Sequence, residues 1–101
     1  MAVTKVIRYT TKPESADENE RLIRDVFAEL AAKNPDGLRY AAFRMADGVS
    51  FLHVAVLDGD ENPLTASAAF GAFQSGIKDR CAEGPIPGDA TAVGSYRLLP
   101  E

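Results

Sequence analysis

The chain has 101 residues, of which 46% are apolar and 26% are charged, and its formal net charge at pH 7 is −4. This length and composition predict a globular protein with one domain, residues 1–101. Acidic and basic residues are interspersed, so no nucleic-acid partner is expected, because phosphate binding needs clustered basic side chains. The apolar runs are too short to cross a membrane, so no membrane partner is expected either.

Two features bear on localisation. The start of the chain, MAVTKVIRYT, alternates like a strand and lacks the basic start and apolar stretch of a signal peptide. Cys81 is the single cysteine, which excludes an internal disulfide and suits a reducing compartment. Both features predict a cytoplasmic protein.

The first predicted elements are a strand, Ala2–Tyr9, and a helix that opens at Pro13, a residue type that the first turn of a helix accepts. Apolar residues then recur at spacings of three and four, which is typical of one buried helix face. These residues are Leu22, Ile23, Val26, Phe27 and Leu30. The cluster Lys33–Gly37, with Asn, Pro and Gly, is predicted to end the helix.

A β-hairpin is predicted next. The segments Leu38–Met45 and Val49–Leu57 are rich in aromatic and β-branched residues, and Asp47-Gly48 lies between them. Asp-Gly between two such segments is the strongest short-range hairpin signal. The two segments are therefore predicted to be antiparallel neighbours.

The last elements are a second helix and a fourth strand. Ser67 is predicted to cap a helix that extends to about Ala82, although two glycines weaken it by roughly 1 kcal/mol each relative to alanine. Gly84–Gly88, which contains two prolines, is predicted to be a stiff loop, and Thr91–Leu98 to be the final strand. The order βαββαβ predicts an α+β, ferredoxin-like fold: a four-stranded antiparallel sheet with both helices on one face.

Both faces of this sheet are apolar. The two faces of the third strand carry Phe51, His53 and Ala55, and Leu52, Val54 and Val56, respectively. On the second strand, Leu38, Tyr40 and Ala42 oppose Phe43 and Met45. Helices cover only one face, so a homodimer with sheet packed against sheet is predicted; the alternative is that sheet twist and long Arg and Lys side chains cover the second face. The Leu52 face is the more apolar, which predicts that it lies under the helices and that His53 lies between subunits.

The layout resembles the dimeric α+β barrel superfamily, and within it the antibiotic biosynthesis monooxygenase-like proteins. The resemblance is carried by K-P-x-x-A-D-E-N-E, then G-L-R-Y, D-G-V-S-F-L-H-V, A-F-G-A-F-Q and the terminal G-S-Y-R-L. It implies a homodimer whose sheets form a barrel, a ligand cavity between sheet and helices, and cofactor-free oxygenation of polycyclic phenols or, in some relatives, haem degradation.

The resemblance also has departures. The chain has no tryptophan, whereas the oxygenases and haem degraders of the family rely on one. The haem degraders ligate iron with a helical histidine, whereas His53 is predicted to be on a strand. Haem chemistry is therefore not expected, and neither a metal nor an organic cofactor is predicted.

Three residues are candidates for catalysis. Asn19 and Arg80 share the apolar faces of their helices, so both are predicted to reach a cavity, where they could orient an oxyanion. The alternatives are that Asn19 bonds a nearby loop and that Arg80 bonds helix carbonyls or extends over the core. His53 is a candidate acid or base, and the alternative is a structural or interface histidine.

Aromatic side chains are candidates for a substrate pocket, although plain core packing is the more common role of such residues. They are Tyr40, Phe43, Phe70, Phe73 and Tyr96. The sequence therefore leaves two functions open. One is a cofactor-free monooxygenase acting on a small hydroxyaromatic molecule, and the other is a non-catalytic ligand-binding or structural homodimer.

Overall fold

The computed structural model describes residues 3–59 and 61–97. The strands are β1 Val3–Thr11, β2 Leu38–Arg44, β3 Ser50–Leu57 and β4 Cys81–Ala90, and the helices are α1 Ala16–Lys33, α2 Ala68–Ser75 and α3 Ile77–Arg80. The strands form one antiparallel sheet in the order β2-β3-β1-β4. This confirms the predicted ferredoxin-like α+β fold. No helix in the described part of the chain is long and apolar enough to cross a membrane.

The first helix and the hairpin form where the sequence predicts them. A 3-10 turn at Pro13–Ser15 leads into α1, and Asn34, in the left-handed conformation at φ 47°, closes it. In the hairpin turn, Asp47 Oδ1 accepts hydrogen bonds from the backbone N–H groups of Val49 and Ser50, at 2.9 and 2.8 Å. The first strand is longer than predicted, since it continues to Thr11, and Ala2 lies outside the described residues.

The second helix is divided, and the prediction of one helix to about Ala82 was wrong. Ser67 does cap α2, because its Oγ accepts from the N–H of Phe70 at 3.0 Å. The helix ends at Ser75, Gly76 lies outside helical geometry, and α3 follows as one short turn. The guanidinium of Arg80 folds back over Gly76, where an added Cβ would be only 2.9 Å from Nη1.

The fourth strand is displaced relative to the prediction. Gly84–Gly88 is part of β4 rather than a loop, and no strand occurs in residues 91–97; Leu98 lies outside the described residues. A loop was predicted because proline has no backbone N–H group to donate to a neighbouring strand. Strand β4 pairs with β1 alone and is an edge strand, where proline is tolerated when its nitrogen faces the open edge. Pro87 is paired opposite Ile7, whereas Pro85 lies in a register irregularity between Glu83 and Ile86, where proline is also tolerated.

The helices cover the sheet face that carries His53, contrary to the prediction. Phe51, His53 and Leu57 are 1%, 4% and 7% exposed, and Phe51 packs in the core with residues of α1, β1 and α2. The opposite face carries Leu52 and Val54, which are only half-buried. The prediction failed because it assigned the more apolar face to the helices, although the covered face is the one that holds polar side chains.

Candidate functional site

Five side chains form a continuous hydrogen-bond chain beneath the helices. Arg80 Nε donates to Asn19 Oδ1 at 3.0 Å, and Asn19 Nδ2 donates to the Tyr9 hydroxyl at 2.9 Å. The Tyr9 hydroxyl bonds His53 Nε2 at 2.8 Å, and His53 Nδ1 bonds the Tyr40 hydroxyl at 2.5 Å. The chain therefore connects an arginine at the end of α3 with a tyrosine on β2.

The sheet register brings the three ring side chains together. On β3, His53 pairs with Ile7 of β1 on one side and with Ala42 of β2 on the other. Tyr9 and Tyr40 are each two residues from those partners, in opposite directions along the sheet, so both lie diagonally across from His53. Diagonal neighbours on one sheet face are about 7–8 Å apart at the backbone, which is within reach of aromatic side chains.

The hydrogen-bond chain is deeply buried at the end where Arg80 lies. Asn19 is 0% exposed and Arg80 is 6% exposed. Arg80 also donates from Nη2 to the carbonyl oxygen of Phe73 at 2.6 Å, and its guanidinium lies 5.2 Å from the centre of the Phe73 ring. Within residues 3–59 and 61–97, no carboxylate forms an ion pair with Arg80. Its positive charge is therefore stabilised by neutral dipoles, which orient toward it.

Arg80 determines the direction of every bond in the chain. A guanidinium has donors only, so the oxygen of the Asn19 amide must face Arg80 and its NH₂ must face Tyr9. The Tyr9 hydroxyl accepts from Asn19, and within the described residues His53 Nε2 is the one acceptor bonded to the Tyr9 hydroxyl, so Tyr9 donates to Nε2 of a neutral imidazole. His53 must consequently carry its proton on Nδ1 and donate it to Tyr40, whose own proton is left for another acceptor. Each bond polarises the next, so the positive charge strengthens Tyr40 as a donor.

The protonation states agree with this arrangement. Burial lowers the pKa of the His53 imidazole from 6.5 to about 4, so the ring is neutral at pH 7. Burial also raises the pKa values of the Tyr9 and Tyr40 hydroxyls, and both stay protonated. A neutral histidine whose Nε2 lone pair already accepts a hydrogen bond is a poor general base at this pH. The geometry therefore argues against the base role considered for His53.

A cavity of about 280 Å³ opens at the Tyr40 end of the chain. Tyr40 and His53 lie on its wall. Apolar side chains supply most of the remaining lining, including Ile7, Ala55, Leu57, Leu64 and Phe70, and polar groups come from Lys5, Asn62, Thr65, Ser67 and Gln74. An apolar cleft with a few convergent polar groups is the usual form of a small-molecule site, and this volume suits a small ring system.

The structure brings only some of the predicted pocket aromatics to this cavity. Tyr40 and Phe70 line the cavity, and Phe73 packs behind it, with its ring centre 5.4 Å from that of His53. Phe43 was wrongly included, because its position on β2 points it to the opposite face of the sheet, where it is 47% exposed. Tyr96 was also wrongly included, because no strand forms around it and its side chain is 79% exposed.

Asn19 and Arg80 are brought into contact, but neither is among the residues that line this cavity. They lie behind Tyr9, at the opposite end of the hydrogen-bond chain from the cavity beside Tyr40. Two further residues, Tyr9 and Lys5, were not proposed for the site from the sequence. The signal for Tyr9 was available: it shares a face of β1 with Ile7, and a buried tyrosine hydroxyl needs a partner.

A second cavity, of about 340 Å³, lies beside Glu20, Phe27, Phe43 and Arg44. Its charged groups are paired with each other, since Arg44 Nη1 is 3.0 Å from Glu20 and 3.1 Å from Asp17. In the part of the chain that the structure describes, no three His, Cys, Asp or Glu side chains converge in a way that could hold a metal ion. The Tyr40 cavity is therefore the better candidate site.

No protein-family model matches the sequence, and no curated protein matches it. Solved structures do match. A proposed antibiotic biosynthesis monooxygenase from Bacteroides thetaiotaomicron has a TM-score of 0.76 at 14% identity, over 91% of this chain and 90% of its own. Rv0793 from Mycobacterium tuberculosis has a TM-score of 0.74 at 15% identity, over 94% and 98% of the two chains. A variant of SnoaB, a cofactor-independent oxygenase from Streptomyces nogalater, has a TM-score of 0.69 at 23% identity, over 99% and 98%.

The chain therefore shares the fold of these solved structures. The fold that the resemblance implied is thus confirmed. At these identities the likeness establishes architecture and not activity, because one fold hosts many functions. Any chemistry of this protein has to follow from its own cavity, which lacks any tryptophan.

Proposed function

We propose that the protein binds a small hydroxyaromatic molecule in the Tyr40 cavity and oxidises it with O₂, without a cofactor. One observation carries this proposal: a continuous hydrogen-bond chain from Arg80 ends at Tyr40 on the wall of the cavity. The direction that we infer from the donor-only guanidinium leaves the Tyr40 hydroxyl a proton to donate into the cavity. Such a donor suits a ligand oxygen that accepts, and suits a phenolate oxygen best, since charge-assisted hydrogen bonds are the stronger ones.

The reaction balances with O₂ alone. A phenolate ring is electron-rich and can supply all the electrons that O₂ takes up. With 1-naphthol, a C–O bond forms at the ring carbon opposite the hydroxyl and the O–O bond breaks. One oxygen atom remains in 1,4-naphthoquinone, and the other leaves as water with the displaced ring proton and the hydroxyl proton.

The five residues of the chain have different roles in this proposal. Tyr40 contacts the substrate and stabilises the negative charge on its oxygen, as an oxyanion-hole donor does. His53, Tyr9, Asn19 and Arg80 are positioning residues, which hold and polarise the Tyr40 hydroxyl. The oxyanion role considered for Asn19 and Arg80 is thus assigned to Tyr40, through which they act.

Oxygen uptake with 1-naphthol tests the proposal. We expect uptake together with naphthoquinone absorbance, and a fall in kcat of about 100-fold or more in Tyr40→Phe, which removes one donor from the developing charge. Tyr96→Phe is the matched control, because it removes the same atom from a side chain that is 79% exposed. Equal rates in wild type and Tyr40→Phe would refute the assignment of Tyr40.

Binding without turnover is the second candidate function. It is favoured by the cavity wall itself, on which the one imidazole is neutral and has both nitrogens hydrogen-bonded. Calorimetric binding of 1-naphthol with no oxygen uptake would identify a ligand-binding protein, whereas no binding of 1-naphthol would contradict both functions.

We also propose that the protein is a homodimer that packs the outer faces of two sheets together. Three neighbouring rows of the outer face are built around Val54, Leu52 and Val56 of β3. Val54 pairs with Val6 on one side and with Ala41 on the other, so this row is apolar across three strands. The neighbouring rows place Leu52 between Arg8 and Phe43, and Val56 between Thr4 and Arg39. An apolar centre with a polar rim of this kind supports an interface, and a two-fold dimer covers it with a second copy of itself.

A further inference from the structure

We propose that the ligand of the Tyr40 cavity is a hydroxyaromatic acid, whose phenolic oxygen bonds Tyr40 and whose carboxylate pairs with Lys5. This inference rests on the proposed function, because it takes the cavity to be the hydroxyaromatic site. It adds Lys5, a cation, to the neutral hydrogen-bond donor Tyr40 as a second binding group. The ligand carboxylate then becomes a determinant of specificity.

The sheet register places the two anchors at opposite sides of one small residue. Tyr40 of β2 and Lys5 of β1 both pair with Ala55 of β3, so the three residues form one row across the sheet. All three line the cavity. Neighbouring strands are about 4.8 Å apart, so the backbones of Tyr40 and Lys5 are separated by roughly 10 Å. The short side chain of Ala55 leaves the space between them open to a flat ring system.

Lys5 dominates the charge of the cavity. Among the described lining residues, it is the one that carries a full charge at pH 7, since His53 is neutral and no carboxylate is present on the wall. In an apolar cleft, a single ammonium group favours an anion over a neutral group of the same shape. The cavity thus combines a neutral donor, Tyr40, with a cation, which matches a phenol at one end of a molecule and an acid at the other.

The present partner of Lys5 can be exchanged. Lys5 Nζ is 2.9 Å from Asp89 of β4, the next residue in the same row, and their side chains are 48% and 75% exposed. An ion pair exposed to this extent contributes little to stability, because both groups are well hydrated when apart. Asp89 can therefore return to water when a ligand carboxylate replaces it, and Lys5 is held at the cavity mouth until then.

Calorimetry with three probes tests the inference: 6-hydroxy-2-naphthoate, its methyl ester, and 2-naphthol. We expect the wild-type protein to bind the acid up to about fivefold more tightly than the ester, which is the effect of one partly exposed ion pair. Lys5→Gln should remove this preference and weaken binding of 2-naphthol less than binding of the acid. Asp89→Asn, which frees Lys5, should strengthen binding of the acid alone.

The matched control is Arg8→Gln, which removes the same charge from β1 but on the outer face, since Arg8 pairs with Leu52. Arg8→Gln should retain the preference for the acid. Ala55→Leu, which fills the floor between the anchors, should abolish binding of all three compounds. Equal binding of acid and ester by the wild type, or equal losses in Lys5→Gln and Arg8→Gln, would overturn the role of Lys5 and leave the hydroxyaromatic site standing. Failure of all three compounds to bind would overturn the proposed function as well.

Discussion

Arg80 Nε and Asn19 Oδ1 are 3.0 Å apart in the core, and this contact sets the tautomer of a histidine that neither residue touches. Because a guanidinium cannot accept, the Asn19 amide has one allowed orientation, and each later bond follows from it. The inferred direction leaves the Tyr40 hydroxyl on β2 a proton to donate into the cavity because of an arginine on α3. In the proposed function, Asn19 and Arg80 therefore affect ligand binding without lining the cavity.

Asn19→Asp should reverse the donor–acceptor direction of the hydrogen bonds between Tyr9, His53 and Tyr40. A carboxylate accepts at both oxygens, so the Tyr9 hydroxyl would donate to it, His53 would donate from Nε2, and Tyr40 would donate to Nδ1. ¹⁵N NMR of the single imidazole should show the Nδ1–H tautomer in the wild type and the Nε2–H tautomer in the variant. Binding of 1-naphthol should weaken, because Tyr40 then donates its proton inward.

Asn62→Asp is the control for this substitution. Asn62 also lines the cavity, but its Oδ1 accepts from the backbone N–H of Leu64 at 3.0 Å and it is not part of the hydrogen-bond chain. It should leave the His53 tautomer unchanged. Detection of the Nε2–H tautomer in the wild type would contradict the direction assigned to the chain.

The stability of the protein should fall between pH 7 and pH 5 because of His53. Burial lowers the pKa of this group from 6.5 to about 4 in the folded state. Between these two values the unfolded chain takes up a proton that the folded chain does not. The contribution is therefore fully present above pH 6.5 and is lost as the pH falls toward 4, by roughly 3 kcal/mol in total.

Urea unfolding at pH 7 and pH 5 measures this loss, about 2 kcal/mol over the interval. His53→Gln should show a much smaller change, because the chain has no other histidine. The window lies above the range in which carboxylates titrate, so their contribution is small. An imidazole that titrates near pH 6.5 in the folded protein would rule out the neutral, buried His53 described above.

Two glycines of the second helical segment should respond oppositely to alanine. A Cβ at Gly71, inside α2, would meet nothing within 4 Å, so Gly71→Ala should stabilise the protein by about 0.5–1 kcal/mol through helix propensity. A Cβ at Gly76 would be 2.9 Å from Arg80 Nη1. That guanidinium is held by Asn19 and by the carbonyl of Phe73, so Gly76→Ala should destabilise by about 1–3 kcal/mol.

Urea denaturation of both variants checks this pair. Gly76→Ala should also disturb the His53 imidazole signals, because displacement of Arg80 loosens the first bond of the chain, whereas Gly71→Ala should leave them unchanged. Equal stabilisation by both substitutions would mean that Arg80 moves freely, and the buried chain would not be rigid.

The sequence predicted those elements whose signals are local. The spacing of apolar residues in α1, the Asp47-Gly48 turn and the Ser67 cap each depend on a few neighbouring residues, and all three are present. Strand β4 was missed because its two prolines indicate a loop unless the strand is known to lie at an edge, which is a property of the whole sheet. The break at Gly76 was not predicted because it depends on the position of the Arg80 side chain, which folds back over Gly76.

The site was predictable as a set of candidate residues but not as an arrangement. The residue types and spacings singled out His53, Asn19, Arg80 and Tyr40, but His53 was predicted to lie on the wrong face of the sheet. Apolar content did not identify the sheet face that the helices cover. The covered face includes the polar hydrogen-bond chain and the cavity, while the outer face is apolar as well. A departure from simple patterning of this kind is expected where a fold carries a function.

The outer face provides the last prediction, because it tests what covers the second side of the sheet. Val54 lies at the centre of the apolar row between Val6 and Ala41, so Val54→Glu would place a charge in the middle of the proposed dimer interface. Burying an unpaired carboxylate costs several kcal/mol, and the subunits should separate. Sedimentation velocity at micromolar concentration should show a dimer for the wild type and a monomer for Val54→Glu. Ala32→Glu, which adds the same charge on an exposed position of α1, should remain dimeric. A wild-type protein that sediments as a stable monomer would show that this sheet face needs no second copy, and the homodimer would have to be abandoned.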